Sequence, residues 1–537
     1  MPFGKEGDHK PMIAFLAVVI VTGIVLAGVI FYFIPRWDYI REPEVYFNVQ
    51  LTEPVNTSIG YRVGETKSLD SRSDRVYAVH GNTIEAFKPD GTFMWRASFN
   101  DASDFPTAFI TTAPVCKNIG DKVVRDRAEF RVIFGTVEGY VYCLMDNEDA
   151  DSPGAPRGIN LARSGPLDGR ISNDPVVYNP DGIANDRLFI TTENGTLYAF
   201  SFSNDSAQLT REWDLHLSNA SLNAPAVAEV YEIVTVSDVN GSVYGVSISD
   251  HSLIWRYETM ETVSSDIAIT PWNPRVAYIA TDAARLHVIN VVNGTPLNSE
   301  WAGGMLIMKT PSDVDEGPLN TPAINQDGTE IYITSRSGFM YVVISQTQEV
   351  KVRYDATEKG TMQVTFEVPA LFDVRYRKGV YAVARDMSGT ANDLSDDFSW
   401  LYRFTDESIR TERYAFKFQI PGRVQGPLQM WHDTAVAEHL YPTIWLGTTT
   451  TEGAAQRGNI YAISSGSPGE VKRIPGRGIP YIEPIVVLGI IILAAVWSRL
   501  STQKRDVSSV FTQSTGAQQR APQLLDHQGR QETQRDP

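Results

Sequence analysis

The 537 residues predict an all-β fold, a β-propeller of about eight four-stranded blades. Three observations carry that prediction. One short strand-like segment recurs eight times, a Gly-containing hairpin turn precedes many of its copies, and a Pro beside small apolar residues stands earlier in most units.

The recurring segment reads apolar-Tyr-x-apolar: VYCL from Val141, LYAF from Leu197, VYGV from Val243, MYVV from Met340, LYRF from Leu401 and IYAI from Ile460. LHVI from Leu286 and IEAF from Ile84 complete the series, with His287 and Glu85 in the Tyr position. In LFITTENGTLYAF (Leu188 to Phe200), IVTVSDVNGSVYGV (Ile233 to Val246) and IYITSRSGFMYVV (Ile331 to Val343), apolar and polar residues alternate around Asn-Gly or Ser-Gly. That is a hairpin pattern, because Gly supplies the positive φ of a tight reversal. APVC at Ala113, DPVVY at Asp174, APAV at Ala224, TPAI at Thr321, VPAL at Val368 and GPLQM at Gly426 read as inner strands with Pro at the start, where a missing N–H is tolerated. A bulky closing strand follows the hairpin and carries Trp95, Trp213, Trp255 and Trp301.

Four strands in units 43 to 61 residues apart describe propeller blades rather than a sandwich or a helical solenoid. Each blade buries its faces on its neighbours, so the length does not require two domains. The uneven spacing marks insertions, and Gly389 to Phe398 and Thr448 to Arg457 are expected as loops between strands. VYFNVQL (Val45 to Leu51) is the expected outer strand of the last blade, donated from the other end of the ring. The propeller is bounded at 44–470.

Met12 to Ile34 is an uncharged apolar run, and a helix of that length reaches about 34 Å, enough to cross a bilayer core. Tyr32, Pro35, Arg36 and Trp37 follow it like an interfacial belt, so it is expected as a retained anchor rather than a cleaved leader. Tyr481 to Leu500 is a second candidate span whose uninterrupted apolar centre, Ile485 to Trp497, is short and relies on its flanks to reach the headgroups. Residues 1–11 form a short tail, and 501–537, rich in Gln, Ser, Thr and Arg, are expected to be disordered. Two spans put both tails on one side. Flanking charge is balanced, with Lys5 and Lys10 against Arg36 and Arg41. Asn56, Asn194, Asn204, Asn219, Asn240 and Asn293 each begin an N-x-S/T glycosylation triplet, although three are Asn-Gly pairs that a turn also explains. A large domain between two spans is translocated regardless of loop charge, so the expected arrangement is an integral membrane protein with an extracytoplasmic ring and cytoplasmic tails.

The formal charge of −17, with no Lys/Arg stripe, excludes nucleic acid as an expected partner. Cys116 and Cys143 are the only cysteines, so neither a disulfide framework nor a CxxC metal site is available. They fall on the inner and third strands of one blade, too far apart to bond, and are expected as small apolar residues.

Inner-strand Pro, a Gly turn, the Tyr-containing third strand and a closing Trp together resemble the PQQ-like repeat of the quinoprotein alcohol dehydrogenase superfamily, over roughly Gly64 to Gly469. Leu222 to Glu258 is the best copy. The resemblance implies a propeller and leaves function open, since the repeat serves dehydrogenases and also non-enzymatic assembly factors, including the bacterial outer-membrane assembly lipoprotein. The enzymes hold a quinone with calcium, many against two adjacent cysteines. This sequence has no Cys-Cys pair and no CxxCH haem site, and no calcium ligands can be carried over to it.

No other motif supplies chemistry. The acidic stretches Asp146 to Asp151, Asp313 to Glu316 and Asp396 with Asp397 lack the EF-hand order and read as solvated loops. NPDG at Asn179 and NQDG at Asn325 read as turns between inner and second strands. His432 and His439, with Asp433 and Glu438, fit no zinc-ligand spacing. No cofactor and no catalytic residue is expected. The expected role is a non-enzymatic scaffold that binds proteins in a membrane or envelope complex, against two alternatives: a membrane-bound PQQ-dependent dehydrogenase and a carbohydrate- or small-ligand-binding propeller.

Overall fold

The computed structural model describes residues 44–55, 59–62, 75–88, 91–99, 109–118, 129–147, 161–179, 186–203, 206–270, 275–297, 304–309, 315–358, 362–373, 379–387, 398–405, 414, 416–431, 442–452 and 455–464. Both candidate spans and both tails lie outside them. All described strands fall in one compact unit, Ile40–Lys472.

The strands form eight antiparallel sheets in chain order. Blade 1 runs over Gly60–Ser98, blade 2 over Val115–Ser164, blade 3 over Val176–His216, blade 4 over Ala226–Glu258, blade 5 over Ala268–Ile307, blade 6 over Ala323–Asp355 and blade 7 over Val364–Pro421. Blade 8 takes its inner three strands from Arg423–Ser464 and its outer strand from Glu44–Gln50. Every apolar-Tyr-x-apolar copy lies in the third strand of its sheet, including the His287 and Glu85 variants. Inner strands lie side by side at the junctions of blades 1 and 2, 3 and 4, 4 and 5, 6 and 7, and 7 and 8, and Trp445 and Ile460 of blade 8 share a buried cluster with Val76 and Ala78 of blade 1, which closes an all-β eight-bladed propeller.

The donated strand is where the sequence places it. Glu44–Gln50 pairs antiparallel with Ala455–Ser464, so that Glu44 is the partner of Ser464 and Gln50 that of Asn459. Pro114, Pro175, Pro225 and Pro322 directly precede the inner strands of blades 2, 3, 4 and 6, as expected. In blade 7, by contrast, Pro369 lies between two inner pieces, Val364–Phe366 and Leu371–Phe372, which pair separately with Val380–Asp386. In blade 8, Pro427 sits inside Arg423–Trp431 where the register jumps from Gln425 to Gln429, a bulge that absorbs a residue unable to donate to the ladder.

The second-to-third-strand turn is nearly identical in blades 2 to 6. In blade 3, Thr192 N–H donates to the Thr196 carbonyl (3.1 Å) and Gly195 N–H to the Thr192 carbonyl (3.1 Å), with Gly195 at φ 85°. Blade 5 makes the same turn without Gly: Ala284 takes the position at φ 61°, and Thr281 N–H still reaches the Arg285 carbonyl (2.8 Å). The expected loop over Thr448 to Arg457 is instead a paired ribbon. Its ladder continues to Glu452 opposite Ala455, because the apolar and Thr-rich strands simply extend beyond the blade.

The core lies between blades. Third-strand Tyr side chains pack back on the preceding blade, as Tyr142 does against Phe99 (centroids 4.9 Å) and Tyr402 against Tyr354 (5.8 Å). Outer-strand aromatics pack forward instead. Trp255 of blade 4 donates Nε1–H to the Val291 carbonyl in blade 5 (2.7 Å), and Trp213 of blade 3 stacks on His251 in blade 4 (5.3 Å). Trp301 lies outside the described residues. The two periodic aromatics seen in the sequence are thus the forward and backward seals of one interface, each burying a large apolar surface.

Candidate functional site

Antiparallel order within each blade sends the second-to-third turns and the outer-to-inner links to one face, here called upper. The inner-to-second and third-to-outer turns emerge on the other, lower face. The residues just before each inner strand therefore ring the upper mouth of the central channel.

That ring is a set of blade-to-blade hydrogen bonds. Asn223 Nδ2 donates to Ser237 Oγ on its own blade (2.9 Å) and to the Val263 carbonyl leading into the next (2.9 Å). Asn320 repeats the arrangement with Thr334 Oγ1 (2.9 Å) and the Phe366 carbonyl (2.7 Å), and Asn173 Nδ2 reaches the Leu222 carbonyl (2.5 Å). One position later, Asp174 accepts from Ala113 N–H (2.7 Å), Asp266 from Ala224 N–H (3.1 Å), and Thr321 Oγ1 from Asp266 N–H (2.9 Å). Sequence reasoning took the Pro in these segments and missed the polar residues before it. The signal was present in SNDP, LNAP and LNTP.

Burial pushes the carboxyls of Asp174 and Asp266 up to about 6, and for Asp174 the nearby Asp266 adds to it. The backbone N–H that each accepts works against the rise and does not cancel it. Among the described residues, no group of three or more His, Cys, Asp or Glu side chains gathers as a metal-binding set.

The two blades that lack the third-strand Tyr hold buried polar clusters in its place. In blade 1, burial raises the Glu85 carboxyl but His80 and Arg96 outweigh it and hold it below its ordinary value; His80 Nε2 is 3.3 Å away and Arg96 Nε donates at 2.5 Å. In blade 5, His287 Nδ1 meets the Tyr257 hydroxyl of blade 4 (2.9 Å), and burial, helped by Arg285, pushes the imidazole down to about 4. Thr281 donates to Glu261 (2.6 Å), which also pairs with Arg285. The blade 5 cluster is a polar version of the Tyr seal, reaching back to Tyr257 and Glu261, whereas the blade 1 cluster pairs its charges within its own blade.

The glycosylation triplets divide between the faces. Asn194 and Asn240 stand in second-to-third turns and Asn219 in the link between blades 3 and 4, all on the upper face and exposed. Asn194 donates Nδ2–H to the Asp168 carbonyl. Asn293 is exposed on the lower face, its Oδ1 accepting from Thr295 N–H (3.1 Å) and Oγ1 (2.7 Å). Asn56 and Asn204 lie outside the described residues, as do His432, His439, Asp396 and Asp397.

Two acidic residues expected to be solvated are buried. Asp146 accepts from Tyr77 of the preceding blade, and Glu316 pairs with Arg353 (Nε at 2.8 Å), because each sits at a blade junction where a cross-blade donor reaches it. Asn325 does form the expected turn, its Oδ1 accepting from Thr329 N–H (2.8 Å) and Glu330 N–H (3.1 Å). Cys116 and Cys143 are free thiols on strands separated by Glu129–Gly135, and burial pushes Cys143 up to about 12.

These features define an eight-bladed β-propeller closed by its N-terminal strand. No family model matches the chain, and no curated protein matches it. Solved structures do. Sqt1 of Saccharomyces cerevisiae is similar with a TM-score of 0.53 and 10% identity, covering 78% of this chain and all of that one. BamB from Moraxella catarrhalis gives 0.46 at 11% identity over 78% of this chain and 98% of that one, and the computationally designed Ika8 protein 0.48 at 11% over 77% and 98%. At these identities the likeness shows the fold alone.

Proposed function

We propose that this chain is a membrane-anchored, extracytoplasmic propeller that binds proteins as a scaffold in a membrane or envelope complex. The observation that supports it most is the pairing of Glu44 with Ser464. The apolar runs Met12 to Ile34 and Tyr481 to Leu500 would then leave from the lower edge of a single blade, with 9 residues (35–43) and 16 residues (465–480) between them and the ring. Both runs would join the ring on its lower face, opposite the upper face that carries Asn194, Asn219 and Asn240. That upper face is built of the second-to-third turns and the outer-to-inner links, where propellers present variable contacts.

Tags at Met1 and Pro537 test the topology in sealed vesicles. They should be equally accessible, with a tag inserted at Asp149 showing the reverse; tails on opposite sides would remove the second span. Crosslinking in native membranes should then attach defined protein partners to the ring, and a ring that crosslinks to none while binding a sugar or reducing a dye with pyrroloquinoline quinone and Ca²⁺ would replace the scaffold reading.

A further inference from the structure

The lower face carries large apolar side chains that no blade covers. In blade 4, Val230, in the inner-to-second link, is 75% exposed, and Leu253 and Ile254, where the outer strand begins, are 46% exposed each. Val292 stands in the adjoining third-to-outer turn of blade 5, and Trp255 ties the two blades together there through its bond to Val291. Phe93 in blade 1 and Val350 in blade 6 hold the same position at the start of their outer strands, 48% and 39% exposed. Single exposed apolar residues need no explanation, but four on adjoining turns of two blades form a local surface, and the same strand position repeats the feature elsewhere on the rim.

Chain geometry selects what covers it. Glu44 and Ser464 reach the same face at blade 8, and blade 4 is the blade opposite in an eight-membered ring. Nine residues span about 30 Å at most when extended, so a ring tethered through Pro35 to Pro43 keeps its lower face within reach of the headgroups. On this membrane-anchored reading, we infer that the lower rim of blades 4 and 5 rests on the bilayer interface, Val230, Leu253, Ile254 and Val292 entering the headgroup region as a second point of contact opposite the tether. The attraction is apolar. Exposed Glu229, Glu232 and Asp250 surround Val230 and Leu253, with Arg275 held against Tyr231 (2.8 Å), so anionic lipid weakens the contact rather than strengthening it.

The test uses the full chain in phosphatidylcholine vesicles, with Cys116→Ser as background and an environment-sensitive dye on Val230→Cys, Ile254→Cys or, as the upper-face control, Met260→Cys. Met260 is 84% exposed and equally apolar, so hydrophobicity alone cannot distinguish the labels. Spin-labelled lipid should quench the dye at Val230 and Ile254 at least about threefold more than at Met260, and adding phosphatidylserine should reduce that ratio. Equal quenching at all three positions, or stronger quenching at Met260, in protein that resists alkaline extraction overturns the contact and leaves the anchor standing. Protein stripped from the vesicles by alkali overturns the anchored reading and the contact with it.

Discussion

Phe47, in the donated outer strand of blade 8, lies directly over Gly91 in the third-to-outer turn of blade 1: a Cβ on Gly91 would fall 2.8 Å from Phe47 Cγ. Trp255 stands in the same way over Gly294 of blade 5, where a Cβ would fall 2.6 Å from Trp255 Cδ2. The last interface of the ring is therefore built like an ordinary one, although its outer strand comes from more than 390 residues away in the chain. Phe47 also meets Trp445 edge-on at 4.8 Å, which ties the donor strand to the second strand of blade 8.

Gly294→Ala should destabilise the ring through both the clash with Trp255 and a φ of 68°, by about 2–4 kcal/mol. Phe47→Ala removes a packed aromatic and should cost about 3 kcal/mol. Chemical denaturation of the full chain in detergent checks both, and a midpoint unchanged in either variant would show that the aromatic seals contribute little.

Removing Val45 to Leu51 should cost more than either point change, because it strips the partner from Asn459–Ser464 and exposes an unpaired edge. The expected readout is a lowered unfolding midpoint together with self-association. If the midpoint does not move, another segment closes blade 8.

Much of this was legible because the repeat is physically redundant. Tyr recurs at the third strand of six blades and Trp at the outer strand of blades 1, 3 and 4 because each buries aromatic surface between blades, and a pattern seen eight times survives the loss of Tyr at Glu85 and His287. What the sequence did not disclose depends on contacts between blades. Asp146 and Glu316 read as solvated because their partners, Tyr77 and Arg353, lie 69 and 37 residues away. The ribbon ending at Glu452 read as a loop, since a Thr run carries no apolar alternation to mark it as strand. The split inner strand of blade 7 has the same repeat signature as the others, and only its pairing with Val380–Asp386 separates the two pieces.

Asn320→Ala should leave the Phe366 carbonyl without its side-chain donor and cost about 1–3 kcal/mol. Asn320→Asp is more informative. It places a carboxylate against that carbonyl, so the variant should be less stable than Asn320→Ala at neutral pH and recover below about pH 4 as the acid protonates. Equal stability of the two at pH 7 would mean that the bond to Phe366 is not made.

Asp174 and Asp266 give the ring an acid preference at its upper mouth. Both carboxyls lie at about 6 in the folded protein and near 3.8 in an unfolded chain. Below pH 4 both states are protonated, and these groups neither stabilise nor destabilise. Between 4 and 6 the unfolded chain ionises first, so folding loses stability as pH rises, and above 6 the full penalty is in place. Asp174→Asn and Asp266→Asn keep an oxygen to accept the N–H of Ala113 or Ala224 while removing the charge. Each should raise stability at pH 8, on the order of 1 kcal/mol once solvent access at the channel mouth is allowed for, and change nothing at pH 3.5. His287, pushed down to about 4, has the opposite slope, since the unfolded chain takes up a proton first and stability falls as pH drops below 6.5. The double Asn variant should therefore show a steeper loss of stability from pH 6.5 to 4 than the parent, because the destabilisation from His287 is no longer offset. Parallel pH–stability curves for the two proteins would show that the mouth carboxyls ionise normally.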